Sequence, residues 1–192
     1  MPHRLAPAPS GNHDAEVTAF ALAAGAGDRQ ALAEFIRLTQ ADVWRFLAHL
    51  AGPEQADDLA QDTYLRAMDA LPRFEGRSSA RAWLLSIARR VAVDAVRHDR
   101  ARPQSPRGHD WLAAHEQPSQ DPAAGVAATC LLSELSAERR EAFVLTQVMG
   151  FDYAAAAQVC AVPIGTIRSR VARARAQLVE LWHEPEQARR AV

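Results

Sequence analysis

Apolar residues in this chain recur every third or fourth position over long stretches, and nowhere do they alternate one on, one off as a half-buried strand requires. That period predicts an all-α fold. Helices are expected at about residues 14–24, 28–51, 53–71 and 80–100, with Asp14 and Asp28 as N-caps and Pro53 in a first turn. Residues 102–122 then place four prolines in a polar, mixed-charge setting, the composition of a linker. Periodicity resumes over 123–135. Ser136 is set to cap a helix that runs to Met149 and ends at Gly150, and two more helices follow at 152–159 and 163–182. The expected organisation is two small helical domains, 14–101 and 123–183, joined by a flexible linker at 102–122. A disordered tail at 1–13 precedes them and a second tail at 184–192 follows. Domains of roughly 60 residues bury only about 60% of their unfolded surface, so each would be marginal alone.

The last helix carries an unusual charge pattern. In "VPIGTIRSRVARARAQL", Ile167, Val171, Ala174 and Leu178 step by four, three and four along one face, while four arginines and no acid occupy the rest. The chain as a whole has 22 basic and 23 acidic side chains and a formal charge of −1, so affinity for a polyanion must come from local clustering of this kind. All the basic residues are arginine, a bias that fits GC-rich coding more than chemistry. Before this helix stands "DYAAAAQVC" and then "AV", a short helix and a tight turn, the order of a helix-turn-helix. Thr166, Arg168, Ser169, Arg170, Ala172 and Arg173 are thereby candidate groove readers, because arginine donates two hydrogen bonds to guanine in the major groove. Thr166 and the first-turn amides suit a phosphate.

Two neighbouring helices in the first half invert each other's sign. Asp58, Asp62, Leu65 and Asp69 share one face, with Asp57 and Gln61 alongside and Ala60, Tyr64, Ala67, Met68 and Leu71 opposite. Residues 57–75 hold five acids and two arginines, 2 − 5 = −3, a surface that repels DNA and suits a basic protein. Residues 77–107 hold eight arginines and two aspartates, 8 − 2 = +6, around a core stripe of Leu84, Ile87 or Ala88, Val91 and Ala95. Trp83 opens that helix and is expected in the core. Between the two helices, "PRFEGRSS" supplies an aromatic, two arginines and two hydroxyls, a set able to hold an unpaired base as well as to serve as a plain connector.

Cys130 and Cys160 are too few for a disulfide framework, and they are expected as small buried hydrophobes in a reducing compartment. No cluster has metal-ligand spacing, and no nucleophile is paired with a base, so neither catalysis, metal nor cofactor is expected. An N-terminus without a signal-peptide run and the lack of any ~20-residue apolar stretch point to the cytoplasm.

"DDLAQDTYLRAMDALPRF", "SARAWLLSIARRVAVDAVR" and "PIGTIRSRVARAR" resemble, in order and spacing, segments of the extracytoplasmic-function sigma factors, the smallest class of the bacterial sigma-seventy family. The chain looks most like the actinobacterial sigma-C branch. The resemblance implies a sigma-two domain that binds the β′ coiled coil of core RNA polymerase through Asp57, Asp58, Gln61, Asp62, Leu65 and Asp69. It implies that Phe74, Arg77 and Ser78 capture a flipped minus-ten base, and that Arg90, Asp94, Arg97 and His98 lie along duplex or melting DNA. It further implies a sigma-four domain that contacts the β flap and reads the minus-thirty-five element, a linker that threads toward the RNA exit path, and an anti-sigma partner. Ala172 is small where such proteins can carry a bulkier residue, so no promoter sequence transfers. The alternative is a stand-alone helix-turn-helix regulator, which explains residues 168–175 but gives the acidic face no purpose; a carboxylate metal enzyme using Asp57, Asp58 and Asp62 lacks ligands on a second helix. Charge alone also suggests that the acidic helix and the arginine helix lie against each other in the free protein.

Overall fold

A computed structural model describes residues 11–101 and 130–190, with side chains placed over 13–98 and 130–182. The first ten residues, the expected linker, most of the expected 123–135 helix and the last two residues lie outside the described residues. Within them every regular element is helical. In chain order these are α1 (Gly11–Gly25), α2 (Arg29–Ala51), α3 (Pro53–Ala70) with a closing 3-10 turn (Leu71–Arg73), and α4 (Ala80–Ala101). Beyond the gap come α5 (Ala137–Phe143), which continues into a π turn (Val144–Val148), α6 (Tyr153–Cys160) and α7 (Ile164–Arg190).

Local signals set several boundaries. Asp28 caps α2 by accepting hydrogen bonds from the amides of Gln30 and Ala31 at 2.8 and 3.0 Å. Gly52, at φ 92°, separates α2 from Pro53, which opens α3 without needing an amide. Gly150, at φ 74°, closes the α5 segment where the sequence places a stop. Asp14 is a correction: α1 begins at Gly11 rather than residue 14, so Asp14 lies in its first turn and caps nothing. Its carboxylate accepts instead from Arg81 on α4 at 2.7 Å, a stronger partner than a terminal amide.

The core is continuous. Phe35, Phe46 and Leu47 of α2 are fully buried among α1, α3 and α4, and Leu84, Leu85 and Val91 of α4 are buried with them. Each such side chain contributes about 1.5–3 kcal/mol. The same cluster extends into Leu145, Val159, Ile167 and Val171, because α4 packs on α6 and α2 reaches α5. The two halves therefore meet through α4 and α2, not through the acidic helix and the arginine helix that charge alone would bring together.

Three polar ties cross that junction. Arg81, 5% exposed, bonds Asp42 at 2.6 Å and Asp14 at 2.7 Å within the first half, and its guanidinium lies 4.6 Å from the ring centroid of Phe151 in the second. Arg89 of α4 pairs with buried Glu141 of α5. Arg140 donates through Nη1 to the His49 carbonyl at 3.4 Å and through Nη2 to the Ser133 and Leu135 carbonyls at 3.1 and 3.2 Å. A buried carboxylate requires a cation, and Glu141 recruits one from across the junction. The cysteines divide: Cys160 is buried as expected, whereas Cys130 is exposed at the edge of the described segment. Burial, reinforced by the Glu141 charge, pushes the Cys160 thiol up to about 12, so it stays protonated.

Candidate functional site

Three surfaces carry the residues singled out in the sequence. On α3, the inward positions are Ala56, Leu59, Thr63 and Ala67, with Tyr64 half-buried and its hydroxyl 2.8 Å from that of Thr39. Asp57, Asp58, Gln61, Asp62, Leu65 and Asp69 are all exposed together on the other side. None of the four aspartates forms an ion pair among the described residues, although Arg66 is on the same helix; Arg66 turns to Asp94 of α4 at 3.2 Å. Met68 differs from the inward place expected for it. It is 37% exposed, three residues from Leu65 at 57%, and the two give the acidic face an apolar spot.

The second surface is the loop after α3 and the outer side of α4. Phe74 is half-buried, its ring centroid 4.8 Å from that of Trp83, which is itself only partly buried. Arg77 is widely exposed and pairs with Glu75, and Ser78 is half-exposed beside it. Ser79 closes the loop by accepting from the Ala82 amide at 3.2 Å, the cap that starts α4. Arg90, Asp94, Arg97 and His98 are exposed along α4, opposite its buried Leu84, Ala88 and Val91. The packing of the halves covers none of these four.

The third surface is the first half of α7. Ile167, Val171 and Ala174 are buried, as the stripe requires, and Leu178 packs at the edge of the core. Asp152 caps α6 through the Ala155 amide at 2.7 Å, and α6 ends in left-handed Ala161, at φ 54°, before Pro163 introduces α7. Arg168, Ser169, Ala172 and Arg173 are exposed, with the Ser169 hydroxyl donating to the Thr166 carbonyl at 2.9 Å. Thr166 is half-exposed. Arg170 is turned inward, half-buried, and its Nη1 has no hydrogen-bond partner among the described residues, which makes it the least available of the six. Arg175 donates to Gln147 at 2.5 Å and so braces α7 against the α5 segment.

Sequence periodicity could not single out Arg81, Arg89 or Glu141, because their partners lie 39 to 67 residues away. No group of ligating side chains able to hold a metal occurs among the described residues, and no described helix is long and apolar enough to cross a membrane.

Comparison with known proteins matches the order of these surfaces. The family model for sigma-70 region 2 covers residues 35–102, spanning α3, the loop and α4, and the model for sigma-70 region 4 covers 126–178, spanning the helix-turn-helix. The probable RNA polymerase sigma-C factor of Mycobacterium bovis is 50% identical over 168 residues, 86% of this chain and 91% of that protein. The chain belongs to the ECF sigma factors. It is an alternative sigma factor, a non-enzymatic subunit that directs RNA polymerase in transcription initiation. The ECF sigma factor EcfG of Rhodopseudomonas palustris is a more distant relative, 35% identical over 72% of this chain and 77% of its own. Among solved structures, the sigma factor RpoE of Bartonella quintana, in complex with the anti-sigma factor NepR, superposes with a TM-score of 0.69 at 32% identity, covering 80% of this chain and 97% of that one. The shared overall arrangement thus holds well beyond the individual motifs.

Proposed function

We propose that this sigma factor divides its work among the three surfaces. The acidic face of α3, Asp57, Asp58, Gln61, Asp62, Leu65 and Asp69, docks the β′ coiled coil of core polymerase, with Leu65 and Met68 as its apolar centre. The loop and outer α4, through Phe74, Arg77, Ser78, Arg90, Asp94, Arg97 and His98, engage the melted minus-ten element. The start of α7 enters the minus-thirty-five major groove, with Arg168, Ser169, Ala172 and Arg173 at the bases and Thr166 and Arg170 at the flank. On this reading, residues 14–101 form the sigma-two domain, 123–183 form the sigma-four domain that meets the β flap, and 102–122 link them toward the RNA exit path. The protein acts in the cytoplasm. Because its RpoE neighbour was solved with an anti-sigma factor, an anti-sigma partner is part of the proposal.

The observation that carries the reading is the set of unpaired carboxylates on α3. Four aspartates stay exposed without ion pairs among the described residues although the neighbouring α4 is net basic, an arrangement that leaves them free for an external basic partner. Polymerase then holds both DNA-reading surfaces at once, so modest affinities multiply through effective concentration. The test is capture of core polymerase by the Asp58→Asn/Asp62→Asn double variant. Both side chains are exposed, so the variant should fold as wild type and lose at least about tenfold in core affinity. Undiminished capture would contradict the proposal.

A further inference from the structure

Of the three methionines, Met149 is 3% exposed in the core of the second half, Met1 lies outside the described residues, and Met68 is 37% exposed on α3. The two thiols stand elsewhere: Cys160 is buried and protonated, and Cys130 is exposed in the segment that precedes α5. Met68 is thus the described thioether that solvent reaches. The helix leaves it outside because Thr63 and Ala67 take the inward positions, fully buried, and the Thr63 hydroxyl is satisfied there by donating to the Leu59 carbonyl at 2.7 Å. Leu65, 57% exposed, precedes Met68 by three positions, so the two side chains adjoin on the helix surface. Asp58, Asp62 and Asp69 are exposed on the same helix. A leucine at residue 68 would give a similar apolar contact; the thioether adds a soft, nucleophilic sulfur.

We propose that Met68 is a site of reversible oxidation, and that its conversion to methionine sulfoxide by a neutral peroxide in the free protein weakens attachment to core polymerase. The inference rests on the reading of the acidic face as the core-docking surface and adds to it a modification that controls docking. The thioether sulfur attacks one oxygen of hydrogen peroxide; an S–O bond forms as the O–O bond breaks, and the departing hydroxide takes the proton from the transferred oxygen and leaves as water. Sulfur gives up two electrons and the peroxide is reduced, so one thioether and one peroxide yield one sulfoxide and one water. Hydrogen peroxide is uncharged, and the negative face that would repel an anionic oxidant does not exclude it. The sulfoxide oxygen is a hydrogen-bond acceptor, and covering it with a partner strips it of water. The ionised carboxylates of Asp62 and Asp69 only accept hydrogen bonds and offer it no proton, so its burial goes uncompensated from this side of the contact. Once docked, the same coverage shields the sulfur, which confines the reaction to the free chain. Methionine sulfoxide reductases reverse it.

The experiment treats the full chain with hydrogen peroxide, in a Cys130→Ser background that removes the exposed thiol as a second target. Peptide mass spectrometry follows each methionine while core affinity and thermal unfolding are measured on the same samples. Met68 should gain one oxygen about tenfold or more faster than buried Met149. Core affinity should fall by about fivefold or more with unfolding unchanged, and methionine sulfoxide reductases should restore it. Met68→Leu, compared with its own untreated sample, should lose less than about twofold on the same treatment. Complete oxidation of Met68 with core affinity within about twofold of the untreated chain would overturn the inference. An equal loss in treated Met68→Leu, or a Met68 that resists peroxide as Met149 does, would overturn it as well. A separate arm exposes preassembled holoenzyme to peroxide, where Met68 should be protected. Oxidation of Met68 there as fast as in the free chain would overturn the underlying reading of the acidic face.

Discussion

The helices α4 and α7 are both amphipathic and rich in arginine, yet they use that arginine in opposite ways. In α4 two arginines at or near the core are consumed internally. Arg81 is held by Asp42 and Asp14 and covered by Phe151, and Arg89 is held by Glu141. Burial opposes the charge on Arg81, but the two aspartates more than offset it and raise its pKa above the ordinary value. In α7, Arg168 and Arg173 are exposed and form no ion pair among the described residues. The lesson is that a basic stretch of sequence does not by itself define a nucleic-acid surface. What decides is whether the fold supplies a carboxylate, and it does so for Arg81 and Arg89 at the junction of the halves but pairs none with Arg168 or Arg173 among the described residues.

The contrast breaks most visibly at Arg81. Arg81→Ala should destabilise the chain by about 3–5 kcal/mol, since it removes a buried guanidinium from two carboxylates and leaves Asp42 only the longer pair with Arg45 at 3.5 Å, and equilibrium urea unfolding measures it. An effect under about 1 kcal/mol would mean that the pairing is not structural. On the other helix, Arg168→Ala should leave unfolding within about 0.5 kcal/mol of wild type yet remove about 1–3 kcal/mol of discrimination at one base pair, read by promoter selection with holoenzyme. The junction also has an acid-sensitive side. Burial, with the charges of Arg45 and Arg140, lowers His49 to about 4 from its ordinary 6.5, so the folded state resists its protonation. Stability from this residue is complete above pH 6.5 and is lost as pH falls from 6.5 toward 4. His49→Gln should flatten that part of the acid limb in unfolding measured at pH 7 and pH 5, and an unchanged slope would remove His49 from the account. Ala161→Gly should stabilise the helix-turn-helix by up to about 1 kcal/mol, because alanine sits at φ 54°, and thermal unfolding reads the shift. Smallest of all, Arg66→Ala should cost less than about 0.5 kcal/mol, because the Arg66–Asp94 pair is more than half exposed on both sides.

Much of the architecture was legible in the sequence because it is written locally. Helix period, the Asp28 cap, the Gly52–Pro53 break, the Gly150 stop and the Ile167–Val171–Ala174 stripe all involve residues within a few positions of one another. What escaped lies in pairings across the chain. Asp14 looks like a cap when its neighbours alone are considered, and only the fold shows Arg81, 67 residues on, as its partner. Met68 fits the apolar stripe of α3 by spacing, but the neighbouring helices cover Thr63 and Ala67 and leave Met68 outside. Charge suggested that α3 and α7 attract each other; desolvation of Glu141 and the apolar side of α4 instead decide how the halves meet. The chemical types in the candidate surfaces were readable from composition and spacing.

The claim at the centre is that exposed arginines on α7 choose the promoter while those inside α4 hold the protein together. Promoter selection by holoenzyme carrying the Arg168→Ala/Arg173→Ala double variant tests it most directly, with core binding and unfolding measured on the same preparation. The account predicts wild-type core affinity and stability together with lost or altered preference confined to the upstream element. Selection of the same upstream sequence as wild type would contradict it.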